Sequence, residues 1–254
     1  MRLSVITVNR NNARGLDATI RSVLSQTDKS IEYIIVDGGS SDGSTDVIKQ
    51  YHECISKWIS EPDQGIYDAM NKGIALATGT YCIFMNSGDV FASAEVVDRA
   101  LFGQDCDIIS GFSMTSSGNR ITPPPSLNFR YLYHRNIPHQ AEFIKRSLFE
   151  RIGLYSVDLK ILADYEFNIK AGLNDVSYCE IPVNVAVVEE GGISETQLDV
   201  IENERNLIFS RLFPASVLSD YEYWLDPATF AHPTVKWLIS RPRLMRVVKK
   251  IQKL

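Results

Sequence analysis

Three acidic positions stand where residue type and spacing could do chemistry. Asp37 opens the loop Asp37-Gly38-Gly39-Ser40-Ser41-Asp42-Gly43-Ser44. A carboxylate there can accept hydrogen bonds from a nucleobase N–H or a ribose hydroxyl. The glycines let backbone approach a ligand closely. The loop is neither a G-x-G-x-x-G fingerprint nor a Walker A loop, since no Gly-Lys-Ser/Thr follows. Asp89 closes the run Met85-Asn86-Ser87-Gly88-Asp89. One carboxylate beside an amide oxygen suits a hard cation, Mn2+ or Mg2+, where a diphosphate supplies further oxygens. Asp164, in Ile161-Leu162-Ala163-Asp164-Tyr165-Glu166, can serve as general base toward an acceptor hydroxyl. Each has a plain alternative: Asp, Gly and Ser are default turn residues, and Asp is a common helix N-cap.

The elements that must position these residues alternate in the first half. SVITV and IEYIIVD read as β-branched strands, and YCIFMN as an apolar one. Helices fall between them, over 15–26 with Leu16, Ile20, Val23 and Leu24 on one face, over about 44–51 capped by Ser44 or Thr45, and over 66–77. A short strand near WISE precedes the last. Strand and helix in alternation predict an α/β fold with a mostly parallel central sheet and helices on both faces. Asp37 and Asn86–Asp89 then sit at carboxyl ends of strands, where ligands bind in open α/β sheets. In the second half DIISGFSM and CEIPVNVAVVE read as strands and NRITPPPSLNFR as an exposed loop. Helices are expected over 145–152 ending at Gly153, over 164–171 stopped by Gly172, and over 196–213.

Composition bounds the class. The chain has 254 residues, 44% hydrophobic and 22% charged, an ordinary globular balance. No run of 18 apolar residues predicts a transmembrane span, and the N-terminus lacks the apolar stretch of a signal peptide. Cys54, Cys82, Cys106 and Cys179 are widely spaced, which argues against a metal cluster and predicts four unpaired thiols in a reducing compartment. The net charge of −5 divides unevenly: the first 226 residues carry 19 basic and 31 acidic side chains, the last 28 seven bases and no acid. An acidic body is a poor nucleic-acid binder. The tail 241–254 places Leu244, Val247, Val248, Ile251 and Leu254 at helical spacing among bases. It suits peripheral contact with an anionic membrane, or packing against protein.

Taken in order, SVITVNRN at 4–11, IVDGGSSDGST at 35–45, SEPDQGIYDAMNKGI at 60–74 and FMNSGD at 84–89 resemble the family 2 glycosyltransferases of the GT-A fold, in particular bacterial exopolysaccharide enzymes of the colanic-acid type. The resemblance is strong over residues 1–90, looser over 138–195, and fades beyond 200. It implies that Thr7 and Asn9 line the nucleotide pocket and that Asp37 contacts the base, with Asp42 in the adjoining loop. It places Asp68 and Asn71 beside the nucleotide, Asn86 to Asp89 at the metal and diphosphate, and Asp164 as the base of inverting members. The pair His139-Gln140 falls on the acceptor or diphosphate side, although a histidine with purely structural hydrogen bonds is the alternative. Gly191-Gly192-Ile193-Ser194 resembles a loop that closes over the donor. Two departures matter. The usual Asp-x-Asp is Asn86-Ser87-Gly88-Asp89 here, leaving Asp89 as the one carboxylate. The Arg that often precedes the Asn of the third block is Met70.

These readings predict a catalytic domain over 1–212 and a helical extension over 213–254. The resemblance implies an inverting transferase in bacterial polysaccharide synthesis, cytoplasmic and at the inner face of the cell membrane. It would move a sugar from a nucleotide-diphospho-sugar, UDP preferred over GDP, to a glycan or lipid-linked acceptor. A nucleotide-sugar-binding protein without transferase activity is the alternative. A glycoside hydrolase with paired carboxylates fits the Asp-Gly-Gly loop poorly.

Overall fold

A computed structural model describes residues 2–191 and 197–225. The chain divides into two compact units, Met1–Glu204 and Arg205–Leu254. Residues 192–194 of the expected closing loop and the whole tail 241–254 lie outside the described residues.

In the first unit β1 (Leu3–Asn9) runs parallel to β2 (Glu32–Asp37) on one side and to β4 (Tyr81–Phe84) on the other, and β3 (Lys57–Ser60) extends the ladder beyond β2. Every residue of β1 and β2 is buried, as strands covered on both faces must be. Alternate residues serve opposite faces. On one, Leu3, Val5, Tyr33 and Ile35 cluster with Leu16, Ile20 and Val23 of α1 (Ala13–Leu24) and Ile48 of α2 (Ser44–Gln50). On the other, α3 (Ile66–Leu76) crosses β1 at Gly73, where an added Cβ would lie 2.4 Å from Ile6 Cγ2. Phe84 there joins Phe149, Tyr155 and Phe167 in a cluster of edge-on and tilted rings. The rings tie the sheet to α6 (Arg146–Ile152) and α7 (Ala163–Leu173).

Beyond β4 the sheet becomes mixed. The strand β8 (Glu142–Lys145) runs antiparallel to both β4 and β6 (Ile108–Thr115), while β6 runs parallel to β9 (Tyr178–Val188). At the far edge β5 (Val90–Phe91) pairs antiparallel with β9, and β7 (Arg120–Ile121) with β6. The full order is β3-β2-β1-β4-β8-β6-β9-β5, with β7 off the path. Shorter helices α4 (Val96–Leu101) and α5 (Phe129–Leu132) complete this unit. The unit boundary falls within α8 (Leu198–Leu212), which α9 (Ala215–Leu225) follows. No helix among the described residues is long and apolar enough to cross a membrane.

Several expectations need correction. Neither Ser44 nor Thr45 caps α2: Gly43 does, in the left-handed region, and the Asp42 carboxylate takes the Ser44 N–H at 3.1 Å. The Pro-rich stretch is not simply an exposed loop. It begins with β7 and ends in α5, and Pro123 and Pro124 are buried. Gly172 lies inside α7, whose C-cap is Asn174. The cysteines are not all unpaired: neighbouring β6 and β9 bring Cys106 and Cys179 together as a disulfide, leaving Cys54 exposed and Cys82 buried as thiols.

One buried acid ties the parallel strands together. Glu32, at the start of β2, accepts from Ser4 Oγ on β1 (2.6 Å), Lys57 Nζ on β3 (2.9 Å) and the Thr78 N–H ahead of β4 (2.7 Å). Burial works against its charge, but these donors outweigh it and hold the carboxyl at about 2, below its ordinary 4.5. A depressed acid stabilises the fold above its unfolded value and loses that contribution as pH falls through the folded one. Glu32→Gln should therefore lower stability by about 1–3 kcal/mol at pH 7. It should also flatten the loss of stability between pH 4.5 and 2, as read from urea midpoints across that range.

Candidate active site

The strand order places the site. Going out from β1, the chain builds β2 and β3 to one side and β4 to the other, and a crevice opens where such winding reverses. The register sets Asn9 directly beside Asp37 at the strand ends. The Met85 and Ser87 N–H groups continue the β1 ladder onto Ile6 and Val8 carbonyls, which carries the 86–89 turn to the same edge.

At the β2 end, Asp37 is fully buried. Its oxygens accept from Asn9 Nδ2 (2.7 Å), Ser40 Oγ (2.5 Å), Ser40 N (3.0 Å) and Ser60 Oγ (2.6 Å). Burial opposes the charge, but those donors outweigh it and keep the carboxyl below its ordinary value. Its acceptor positions are divided between Ser40 of the loop and the ends of β1 and β3, so Asp37 ties the 38–44 segment to both neighbouring strands. Asp42 binds the Ala13 N–H at 2.8 Å and so joins that loop to the start of α1.

At the β4 end, Thr19 of α1 pins the turn: its hydroxyl donates to the Asp89 carbonyl at 2.8 Å and receives the Gly88 N–H at 3.0 Å. Asn12 donates to the Ser87 carbonyl at 3.0 Å. Asp89 is 5% exposed, and its oxygens accept from Gln140 Nε2 (2.9 Å) and the Glu189 N–H (3.1 Å). Burial raises its carboxyl, against the Gln140 hydrogen bond and the nearby His139. Asn86 Oδ1 is buried with no hydrogen-bond partner. The carboxylate of Glu189 folds over Gly88, where an added Cβ would fall 2.1 Å from Oε2. Among the groups at this turn, the Asp89 and Glu189 carboxylates and the orphaned Asn86 Oδ1 are oxygen ligands of the kind that fits a hard divalent cation.

Asp164 lies across the crevice. It does not cap α7; Leu162 holds the cap position. Ahead of the helix, Glu204 gathers the N–H groups of Lys160, Ile161 and Leu162 at 2.6–3.0 Å. Four groups approach Asp164: Tyr67 OH (2.9 Å) and Tyr165 N (2.8 Å) on Oδ1, Asn136 Nδ2 (3.0 Å) and His139 Nδ1 (3.1 Å) on Oδ2. The one Tyr67 hydroxyl proton is shared with the Ile161 carbonyl, at 2.5 Å. Burial, then the Asp164 charge, push the Tyr67 phenol well above its usual range. His139 Nε2 meets Asn86 Nδ2 at 3.0 Å. Since the carboxylate accepts, the imidazole proton sits on Nδ1 and the amide donates to Nε2. Asp89–Gln140 and Asn86–His139–Asp164 are thus two adjacent bridges across one crevice. Behind them Asn168 Nδ2 donates to Glu142 at 3.0 Å and reaches Asn136 Oδ1 at 3.4 Å. Burial pushes the Glu142 carboxyl up to about 8.

Beside Tyr67 opens a cleft of about 490 Å³, lined by Arg10, Asp63, Gln64, Asp68, Lys160 and Gln197 among others. The residues expected from sequence are thus partly gathered. Asn86, Asp89, His139, Gln140 and Asp164 form one network, Asn9 and Asp37 stand at the neighbouring strand end, and Asp68 faces the cleft. Thr7 is not in a pocket: it is fully buried against the Tyr33 hydroxyl at 3.1 Å. Asn71 clamps the backbone of Tyr155 with both amide atoms, at 2.8 and 3.1 Å. Met70, in place of the family's arginine, is wholly buried. Sequence reasoning missed Tyr67, Asn136, Arg10, Lys160 and Glu189. Tyr67 lies in a recognised block and was one helical position from the residue chosen. Arg10 lies in the first block, SVITVNRN; Asn136, Lys160 and Glu189 have no local signal, because only the fold brings them in.

Residues 4–156 match the glycosyl transferase family 2 profile. A PGL/p-HBAD biosynthesis glycosyltransferase of Mycobacterium bovis is 35% identical, the alignment covering 96% of this chain and 95% of that protein. An uncharacterized glycosyltransferase of Mycobacterium tuberculosis is 37% identical over 73% of this chain and 72% of its own length. Among solved structures, S. aureus TarS 1-349 in complex with UDP-GlcNAc superposes with a TM-score of 0.66 at 19% identity, covering 77% of this chain and 61% of that one. The mannosyltransferase PcManGT from Pyrobaculum calidifontis, in complex with GDP-Man and Mn2+, gives 0.59 at 18% identity, covering 73% and 56%. The crevice at the β1/β4 reversal, the acidic turn that closes β4 and the profile spanning both lead to one conclusion: the chain belongs to glycosyl transferase family 2 and is a glycosyltransferase of the GT-A fold.

Proposed function

We propose that this enzyme is an inverting transferase that moves a sugar from a nucleotide-diphospho-sugar to a hydroxyl of a glycan or lipid-linked acceptor, with Asp164 as the general base. The observation that carries the reading is the position of Asp164: a carboxylate 6% exposed, bridged through one imidazole to the turn after β4. A single base opposite the donor side needs only one displacement, which inverts the anomeric carbon.

Each residue has a defined task in this reading. Donors crowd both oxygens of Asp164, so the incoming hydroxyl must displace one before its proton can be taken. Asn136 and His139, both on Oδ2, are the donors that can yield, since Tyr165 N belongs to the helix backbone and Tyr67 is anchored in α3. The remaining donors then orient the carboxylate toward the acceptor. Arg10 and Lys160, the cations lining the cleft, complement a diphosphate. Asp37 and Asn9 act on the nucleoside through the loop they shape. Asp89 would hold Mn2+ or Mg2+, with Asn86 Oδ1 beside it; the cation supplies positive charge to the leaving diphosphate. The likeness to TarS with UDP-GlcNAc and to PcManGT with GDP-Man supports a nucleotide-sugar donor, with UDP our choice of base. The exposed Tyr223 and Trp224 of α9 are in keeping with peripheral membrane contact at the inner face of the cell membrane, where a lipid-linked acceptor would be met.

Two measurements test this. In a thermal-shift panel of UDP, GDP and their sugars, one nucleotide should raise the midpoint selectively; a ligand at a hundredfold its Kd adds about 2.7 kcal/mol. No response to any nucleotide would contradict the donor assignment. Asp164→Asn should cut turnover by about 10²–10⁴-fold and leave the nucleotide shift intact. Full activity in that variant would remove Asp164 from its role. Donor binding by the wild type with no transfer to any lipid-linked glycan would favour a binding protein instead.

A further inference from the structure

The turn after β4, Asn86-Ser87-Gly88-Asp89, carries one carboxylate. The structure brings a second to it from a distant part of the chain. The β5–β9 ladder pairs Val90 with Val187, and continuing that register sets Val188 opposite Asp89 and Glu189 opposite Gly88. The Glu189 N–H donates to Asp89 Oδ1 at 3.1 Å, and its carboxylate lies over Gly88. An added Cβ at Gly88 would fall 2.1 Å from Glu189 Oε2, and Gly88 has φ +108°. Glycine at 88 is therefore what makes room for the acid from β9. Among the described residues no lysine or arginine forms an ion pair with Asp89 or with the exposed Glu189, and His139 is the one group whose charge offsets that of Asp89. In the same turn, Asn86 Oδ1 is buried without a partner. A buried acceptor with no donor, next to two acids with no lysine or arginine paired to them, points to a missing positive ligand.

We infer that Glu189 is the second carboxylate of the divalent-cation site, with Asp89 as the first and Asn86 Oδ1 as a neutral oxygen beside them. The inference rests on the transferase reading for its purpose, to hold a cation against a diphosphate. The site itself is tested by the metal alone.

The test is Mn2+ titration followed by the electron paramagnetic resonance of free Mn2+, with and without UDP, on the full chain. Glu189→Gln should weaken Mn2+ binding at least tenfold. Glu190→Gln should leave it within twofold, because Glu190 bonds instead to Ser116 and Ser117 hydroxyls. Gly88→Ala should reproduce the Glu189→Gln loss by displacing the acid. In EDTA, the thermal shift with UDP should be the same for wild type and Glu189→Gln, which also shows that the variant is folded. Glu189→Gln titrating like wild type would overturn the inference, as would a wild type that takes up no Mn2+ with or without UDP. A wild type that binds Mn2+ through Glu189 but responds to neither UDP nor GDP would support the cation site and contradict the donor reading.

Discussion

A carboxylate buried beside a helix start is costly unless donors surround it, and much of the crevice is arranged to supply them to Asp164. Tyr67 comes from α3, Tyr165 from α7 itself, and Asn136 and His139 from the segment between α5 and β8. Four donors from three stretches of chain fix the carboxylate in one place. Just ahead of α7, Glu204 takes three backbone N–H groups and so fixes the turn that leads into the helix. The ring cluster of Phe84, Phe149, Tyr155 and Phe167 holds α6 and α7 against the sheet, so the donors keep their positions relative to β4.

The second constraint is the reversal of winding at β1. Parallel strands all end at the same edge, and the loops after β1, β2 and β4 are forced together there. Backbone hydrogen bonds, not side chains, then extend the 86–89 turn along β1. His139 joins the two constraints: one ring nitrogen on Asp164, the other on Asn86. A single imidazole therefore links the turn to Asp164.

The first half of the fold was legible because its strands are apolar runs of the right length separated by amphipathic helices. The second half was less so. The strand β8 is only four residues, EFIK, and directly precedes a helix, so neither length nor alternation marks it. Missing it hides the antiparallel part of the sheet. The Cys106–Cys179 pairing was invisible for the same reason, since it depends on β6 and β9 being neighbours. For the site, the ordered motifs pointed to the 86–89 turn and to Asp164, which the fold brings to one crevice, but motif position did not separate residues that face the crevice from those packed behind it. Thr7, Asn71 and Asp42 lie in motif blocks and serve the core, a backbone clamp and a helix start. Glu189 reaches the site through tertiary packing alone, and Tyr67 lies in a motif block but meets Asp164 only through the fold.

The claim on which the account turns is that one carboxylate, Asp164, acts in a single displacement. Its most direct test is the anomer formed first when water replaces the acceptor. Slow hydrolysis of the α-linked nucleotide sugar identified as donor can be followed by proton NMR before the free sugar equilibrates in solution. The account predicts that the β anomer appears first. An initial α anomer would mean retention, and would contradict the single displacement assigned to Asp164.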